Sequence, residues 1–206
     1  MQIHYMWINN FPPLTKTGIT FSSRLIVDLK ALEDQSTIRY QLTIKDNPDF
    51  IENFFNDKGL NEKNEEDIQY GKITNVTTII GKNGAGKTSI LKYMKKSLPQ
   101  GLEARVQFDL FIYSRVESGI EQYYIVRPEH LEIDFDIQTS LQFNRVTYGN
   151  DVGNTMRLTK HLGGAEYIYY SYLLDFNEDL EPWKGLTNIS SACLMMEERR
   201  RITEEY

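Results

Sequence analysis

Polar and apolar positions alternate along much of the first 45 residues. Residues 4–9, 18–22, 24–31 and 37–45 carry β-branched or aromatic side chains at a period of two, which predicts half-buried strands. Glu33, Asp34, Gln35 and Ser36 supply a turn between the last two. Residues 46–72 are polar and read as an insertion with a short helix around 50–56. The period then lengthens: Ile90, Leu91, Met94 and Leu98 fall on one helical face and Lys92, Lys95 and Lys96 on the other, predicting a helix over 87–98. Pro99 and Gly101 end it. Strand patterning returns over 105–116, 120–127, 130–138 and 141–148, with Glu117, Ser118 and Gly119 as a hairpin signal, and reads as a β-meander. A loop rich in Gly and Asn covers 149–164, and an apolar strand over 166–174 ends at Asp175. Residues 188–205 read as a helix with Ala192, Met195, Met196 and Ile202 apolar.

One segment carries chemistry. Residues 73–80 form a β-branched run containing Val76, Ile79 and Ile80, which predicts a strand. It leads into Gly81-Lys82-Asn83-Gly84-Ala85-Gly86-Lys87-Thr88, a full match to the phosphate-binding pattern G-x-x-x-x-G-K-[ST]. Gly81, Gly84 and Gly86 free the backbone to wrap a polyphosphate with its N–H groups inward. Lys87 brings a cation to the β/γ-phosphates and is the candidate catalytic residue; the Thr88 hydroxyl can complete a Mg²⁺ shell. The helix that follows turns its positive end toward the anion. Strand, loop and helix together predict nucleotide binding.

Composition narrows the classes. With 206 residues the chain can bury a sizeable core, and 40% hydrophobic with 25% charged residues is ordinary for a globular protein. No apolar run is long enough to span a bilayer, and the start lacks the pattern of a signal peptide, so no membrane partner is expected. Cys193 is the one cysteine, which fits a cytoplasmic location. His4, His130 and His161 have no ligand spacing and read as surface or packing residues. A net charge of −6 argues against coating nucleic acid by charge alone.

The layout is unusual for a small kinase or GTPase, because some 80 residues of strand-rich sequence precede the loop. No Asn-Lys-x-Asp element follows to read guanine. The chain resembles the N-terminal half of an ABC-superfamily ATPase head, of the chromosome-maintenance (SMC), RecF and overcoming-lysogenization (OLD) types that include phage-defence ATPases. The residues carrying the resemblance are the opening run from Ile3 to Asn10-Phe11 with Ile19-Thr20-Phe21 after it; the loop form Asn83-Gly84-Ala85-Gly86-Lys87-Thr88; and Tyr167-Ile168-Tyr169-Tyr170-Ser171 with the later Asn188-Ile189-Ser190-Ser191. It implies an α/β fold, a P-loop NTPase core of ABC type with a large antiparallel β subdomain. Residues 1–187 would form the N-terminal lobe, with 46–72 inserted, and 188–206 the start of a helical arm that continues in a longer protein. It further implies that ATP and Mg²⁺ bind between this head and a second one in a dimer or higher oligomer. Lys87 and Thr88 would serve phosphate and metal, Ser89 a phosphate, and the backbones of Asn83, Gly84, Ala85 and Gly86 the cradle. DNA or an effector protein would be the further partner, in DNA maintenance or anti-phage defence.

Such an enzyme also needs a glutamine that senses the γ-phosphate, a signature helix and an apolar run ending in Asp-Glu. Leu162-Gly163-Gly164-Ala165-Glu166 resembles a signature but lacks its serine and precedes strand-forming residues. Asp175 is the best Mg²⁺-shell candidate, though Asn177 and Glu178 follow it without an adjacent Glu. Asp134 and Asp136 read as the solvated face of a strand, and nothing selects among Gln107, Gln122, Gln138 and Gln142. Two further readings therefore stay open: a self-contained P-loop kinase using Asp175, and a nucleotide-sensing subunit with little turnover.

Overall fold

The computed structural model describes residues 1–33, 38–52, 54, 75–98, 109–149, 166–171 and 185–204. Its elements are β1 (Gln2–Phe11), β2 (Leu14–Thr20), β3 (Leu25–Glu33), β4 (Ile38–Asp46), α1 (Lys87–Ser97), β5 (Leu110–Glu117), β6 (Ile120–Pro128), β7 (Ile133–Gln138), β8 (Phe143–Tyr148), β9 (Tyr167–Tyr169), β10 (Leu186–Asn188) and α2 (Ser191–Glu204). The chain divides into two compact units: Met1–Lys87 with Phe108–Gly149, and Thr88–Gln107 with Asn150–Tyr206.

In the first unit two mixed sheets share a core. One has the order β2-β1-β5-β6-β8, the other β3-β4-β7. Tyr5, Trp7, Leu110, Ile112, Tyr123 and Ile125 of the larger sheet meet Leu25, Val27, Tyr40, Leu42 and Ile44 of the smaller. The Trp7 and Tyr40 rings lie edge to face with centroids 5.3 Å apart, a geometry aromatic quadrupoles favour. β4 shows how sequence selects the face: Tyr40, Leu42 and Ile44 are buried, and Arg39, Gln41 and Lys45 between and beside them are exposed. The centres of β1, β5 and β6 are buried on both faces, so they read as unbroken apolar runs such as Tyr5-Met6-Trp7-Ile8. Ser118 and Gly119, both at positive φ (50° and 81°), make the two-residue turn between β5 and β6 that matches strand twist.

The second unit, among the described residues, holds α1 from Thr88 onward, the parallel pair β9 and β10, and α2. Ser190 caps α2: its Oγ accepts the Cys193 N–H at 3.3 Å. That cap starts the helix at Ser191, three residues later than the hydrophobic pattern suggests.

Two expectations are overturned. Strands take 50% and helices 17% of the described residues, in mixed sheets, so the fold is mostly β and not an α/β P-loop NTPase core. The physical reason lies at 75–80, where the expected strand is absent. Val76 and Ile80 are 57% and 88% exposed, and Asn75 Nδ2 and Thr77 Oγ1 both donate to the Phe21 carbonyl, at 2.7 and 2.8 Å. The meander is also corrected. β7 leaves β6 to pair in parallel with β4 in the smaller sheet, and β8 returns to pair in parallel with β6. Most of the expected insertion, and the strand beyond Ser171, lie outside the described residues. Among the described residues no helix is long and apolar enough to cross a membrane, a finding that does not bear on barrels.

Candidate phosphate-binding loop

The motif residues fold as a turn and a bend that run directly into α1. Ala85 N–H donates to the Lys82 carbonyl at 3.2 Å, closing a turn whose third residue is Gly84 at φ +82°. A left-handed residue at that position calls for glycine. Gly86 repeats the requirement at φ +85°, and a Cβ there would stand 2.9 Å from Leu14 Cδ2. The loop also closes on itself from the side: a Cβ added at Gly81 would stand 3.4 Å from Ala85 Cβ. The half-buried Lys87 folds back over it, its ammonium donating to the carbonyls of Gly81 (2.6 Å) and Lys82 (2.8 Å).

The family resemblance implies a place for the Ala85 backbone in the phosphate cradle; here its N–H is engaged by the Lys82 carbonyl within the loop. Asn83 and Gly84 are exposed, and Gly86 is buried. Thr88 is exposed and Ser89 half-buried in the first turn of α1. That turn contains no acidic residue. A helix start normally gains about 0.3–1 kcal/mol from a nearby negative charge, and this one begins with a lysine instead. An anion supplied from outside would complement the positive end of the helix and the lysine beside it. The donor set therefore suits a polyphosphate.

Beyond the first turn, α1 is rotated from the sequence expectation. Ile90, Tyr93, Ser97 and Leu98 are buried, together with Lys95 at 6% exposed, while Leu91 is 45% exposed. The stripe at 90, 93, 94, 97 and 98 is helical in period, but Tyr93 and Ser97 do not announce themselves as core residues.

No match was found. No protein-family model, no curated protein and no solved structure matches this chain.

Asp175, Asn177, Glu178, Gln107, His161 and residues 162–165 of the signature-like run lie outside the described residues. Asp134 is exposed on β7, and Asp136 Oδ2 accepts Gln138 Nε2 at 2.9 Å. Gln122 Oε1 faces Asn144 Nδ2 at 3.5 Å. Among the described residues no group of three or more His, Cys, Asp and Glu side chains could hold a metal.

The sequence missed a buried polar chain in the first unit. Pairing of β1 with β5 shifts register between Ile3 and Tyr5, which sets His4 in a bulge. Bulges re-aim side chains, and His4 stacks on Tyr123 at 5.4 Å with 1% of its surface exposed. Ser114 Oγ donates to Glu121 Oε1 at 2.7 Å, and the Tyr123 hydroxyl donates to Glu121 Oε2 at 2.8 Å. A serine has a single hydroxyl hydrogen, so His4 Nε2 must donate to Ser114 Oγ at 2.9 Å. His4 Nδ1 is left to accept the Ser22 hydroxyl, also at 2.9 Å. Ser22 Oγ in turn accepts the N–H groups of Arg24 (3.1 Å) and Leu25 (2.9 Å), and Arg24 Nη1 donates to the Tyr123 hydroxyl at 3.1 Å. Every hydrogen has a place only if His4 is neutral. Burial, with the Arg24 charge, lowers its pKa from 6.5 to about 4 against the opposing pull of Glu121. A single histidine before an apolar run was the only available signal.

Proposed function

We propose that the chain binds Mg-ATP through Gly81, Asn83, Gly84, Gly86, Lys87, Thr88 and Ser89. The observation that carries this reading is a Gly-rich loop with two left-handed glycines that feeds a lysine into a helix start lacking any acidic residue. Lys87 has three N–H donors, two of them on loop carbonyls, and reorients toward the β/γ-phosphates when nucleotide enters. Thr88 offers one hydroxyl to Mg²⁺, whose remaining positions would be filled by phosphates and water. The ion would neutralise charge on the phosphates.

The form Asn83-Gly84-Ala85-Gly86-Lys87-Thr88 supports a role as the nucleotide-binding part of an ATPase that turns over only with a second head, on a mostly β fold and not the α/β core of the ABC type. DNA maintenance or phage defence would be its setting, and the lone Cys193 supports the cytoplasm as its compartment. Two measurements test the proposal. Equilibrium binding of ATP with Mg²⁺ is expected for the native chain and lost in Lys87→Ala; equal affinity of the two overturns the assignment of the loop. ATP turnover per chain is expected to be negligible when dilute and to rise with concentration or with the partner head. Efficient turnover independent of concentration would replace the two-head reading with a self-contained enzyme.

A further inference from the structure

Helix α2 is anchored by its first turn. Ala192 and Cys193 are buried and Ser191 is half-buried, whereas residues 194–203 are all exposed. A helix of 14 residues is marginal in water by itself and draws most of its stability from packing an apolar face. α2 has such a face and leaves it open: Leu194, Met195 and Ile202 are 51%, 56% and 53% exposed. Glu198 and Arg201 share that face, because positions 194, 195, 198, 201 and 202 recur at the helical period.

The charges specify what covers it. Glu197 and Glu198 precede Arg199, Arg200 and Arg201, so the exposed length is acidic first and basic after. A second α2 laid parallel would set like charges together, which is repulsive. Laid antiparallel, it sets Glu198 of each copy against Arg201 of the other and brings Met195 of each beside the other's Ile202. The contact is then two-fold symmetric, with the same patch used by both copies. We propose that this face of α2 docks a second copy of the chain, the two helices running antiparallel. Within one helix Glu198 Oε2 and Arg201 Nη1 stand 3.9 Å apart, beyond hydrogen-bond length, and their side chains are 66% and 75% exposed. Both groups therefore keep their hydrogen-bonding capacity for the other copy. A contact of about three helical turns buries less than about 1,200 Å², so the pairing is weak and reversible. It needs no nucleotide and does not depend on the reading of the loop.

Sedimentation velocity of the full chain, without ATP and at low salt, tests this across micromolar concentrations. A monomer–dimer equilibrium that weakens with added salt is expected. Glu198→Arg and Arg201→Glu, both at exposed positions, should each weaken association about tenfold, since each replaces two attractions by two repulsions. An equal mixture of the two variants should pair again, because one helix is then basic where the other is acidic. A native chain that stays monomeric up to millimolar concentration overturns the proposal. So does a dimer unmoved by either variant, which would place the contact elsewhere. A mixture that associates no better than each variant alone refutes the antiparallel pairing. Because nucleotide is absent throughout, none of these results bears on ATP binding by the loop.

Discussion

Acidification from pH 7 toward pH 4.5 should weaken the first unit through His4. In the unfolded chain this histidine titrates near 6.5; in the fold, burial holds it near 4. The unfolded state therefore binds more protons between these values, and stability falls as the pH drops through the interval. The shift from 6.5 to about 4 corresponds to about 3 kcal/mol at ~1.4 kcal/mol for each pH unit. Roughly 2 kcal/mol of it should be lost between pH 7 and pH 4.5. That is a large fraction of a typical domain stability of about 5–15 kcal/mol. Structurally, a proton on Nδ1 would confront the Ser22 hydroxyl, which already accepts two backbone N–H groups. Glu121 does not confuse the measurement. Burial pushes its pKa up, but the hydrogen bonds from the Ser114 and Tyr123 hydroxyls, with the charge of Arg24, hold it below the usual 4.5. Its contribution is present above 4.5 and is lost only below it. Urea unfolding of the native chain and of His4→Gln across this range is the assay, with the free energy extrapolated to water. The native curve should decline toward acid more steeply than that of the variant. Parallel curves between pH 6.5 and 4.5 would refute both the hydrogen count and the neutral state of His4.

Three further outcomes are expected. Gly84→Ala forces a Cβ into φ +82° where nothing else lies within 4 Å, so it should cost about 1–2 kcal/mol through backbone strain alone and weaken ATP binding, read by calorimetry. Tyr148→Phe removes a hydroxyl that donates to the Asp109 carbonyl (2.7 Å) and accepts the Asp109 N–H (3.2 Å); a loss of about 1–3 kcal/mol is expected in urea unfolding. Leu42→Ala, at a fully buried position between the two sheets, should cost about 2–5 kcal/mol by the same assay.

Local conformation was legible in the sequence where it depends on neighbours. The Gly-rich loop, the helix after it and the Ser118-Gly119 turn are short-range features, fixed by backbone sterics and period. β2 was only half visible, because it lies at a sheet edge and its residues 15–17 are polar and largely exposed. The strand expected at 75–80 failed for a different reason. A β-branched run fits a strand only if a sheet edge receives it, and here side-chain bonds tie Asn75 and Thr77 to Phe21 instead. The parallel placements of β7 and β8 leave no mark in periodicity, since a strand reads alike whichever neighbour it joins. The His4 chain was hidden for a related reason: its members, from residue 4 to residue 123, meet only after three strands and a bulge are in register.

The order in which the chain visits its two sheets has a consequence for folding. The path runs β1 and β2 in the larger sheet, β3 and β4 in the smaller, β5 and β6 in the larger, then β7 in the smaller and β8 in the larger again. No single cut separates one sheet from the other. Gln2 must find Ser114, and Tyr40 must find Ile133, before either sheet is whole. Such distant pairings close long loops early at an entropic cost, which favours slow formation and a single cooperative transition. The candidate phosphate-binding loop lies in the connection that passes from β4 in one sheet to β5 in the other. Ligand bound there would act on the chain segment that joins the two sheets, and refolding rates in the presence of ATP would report on it.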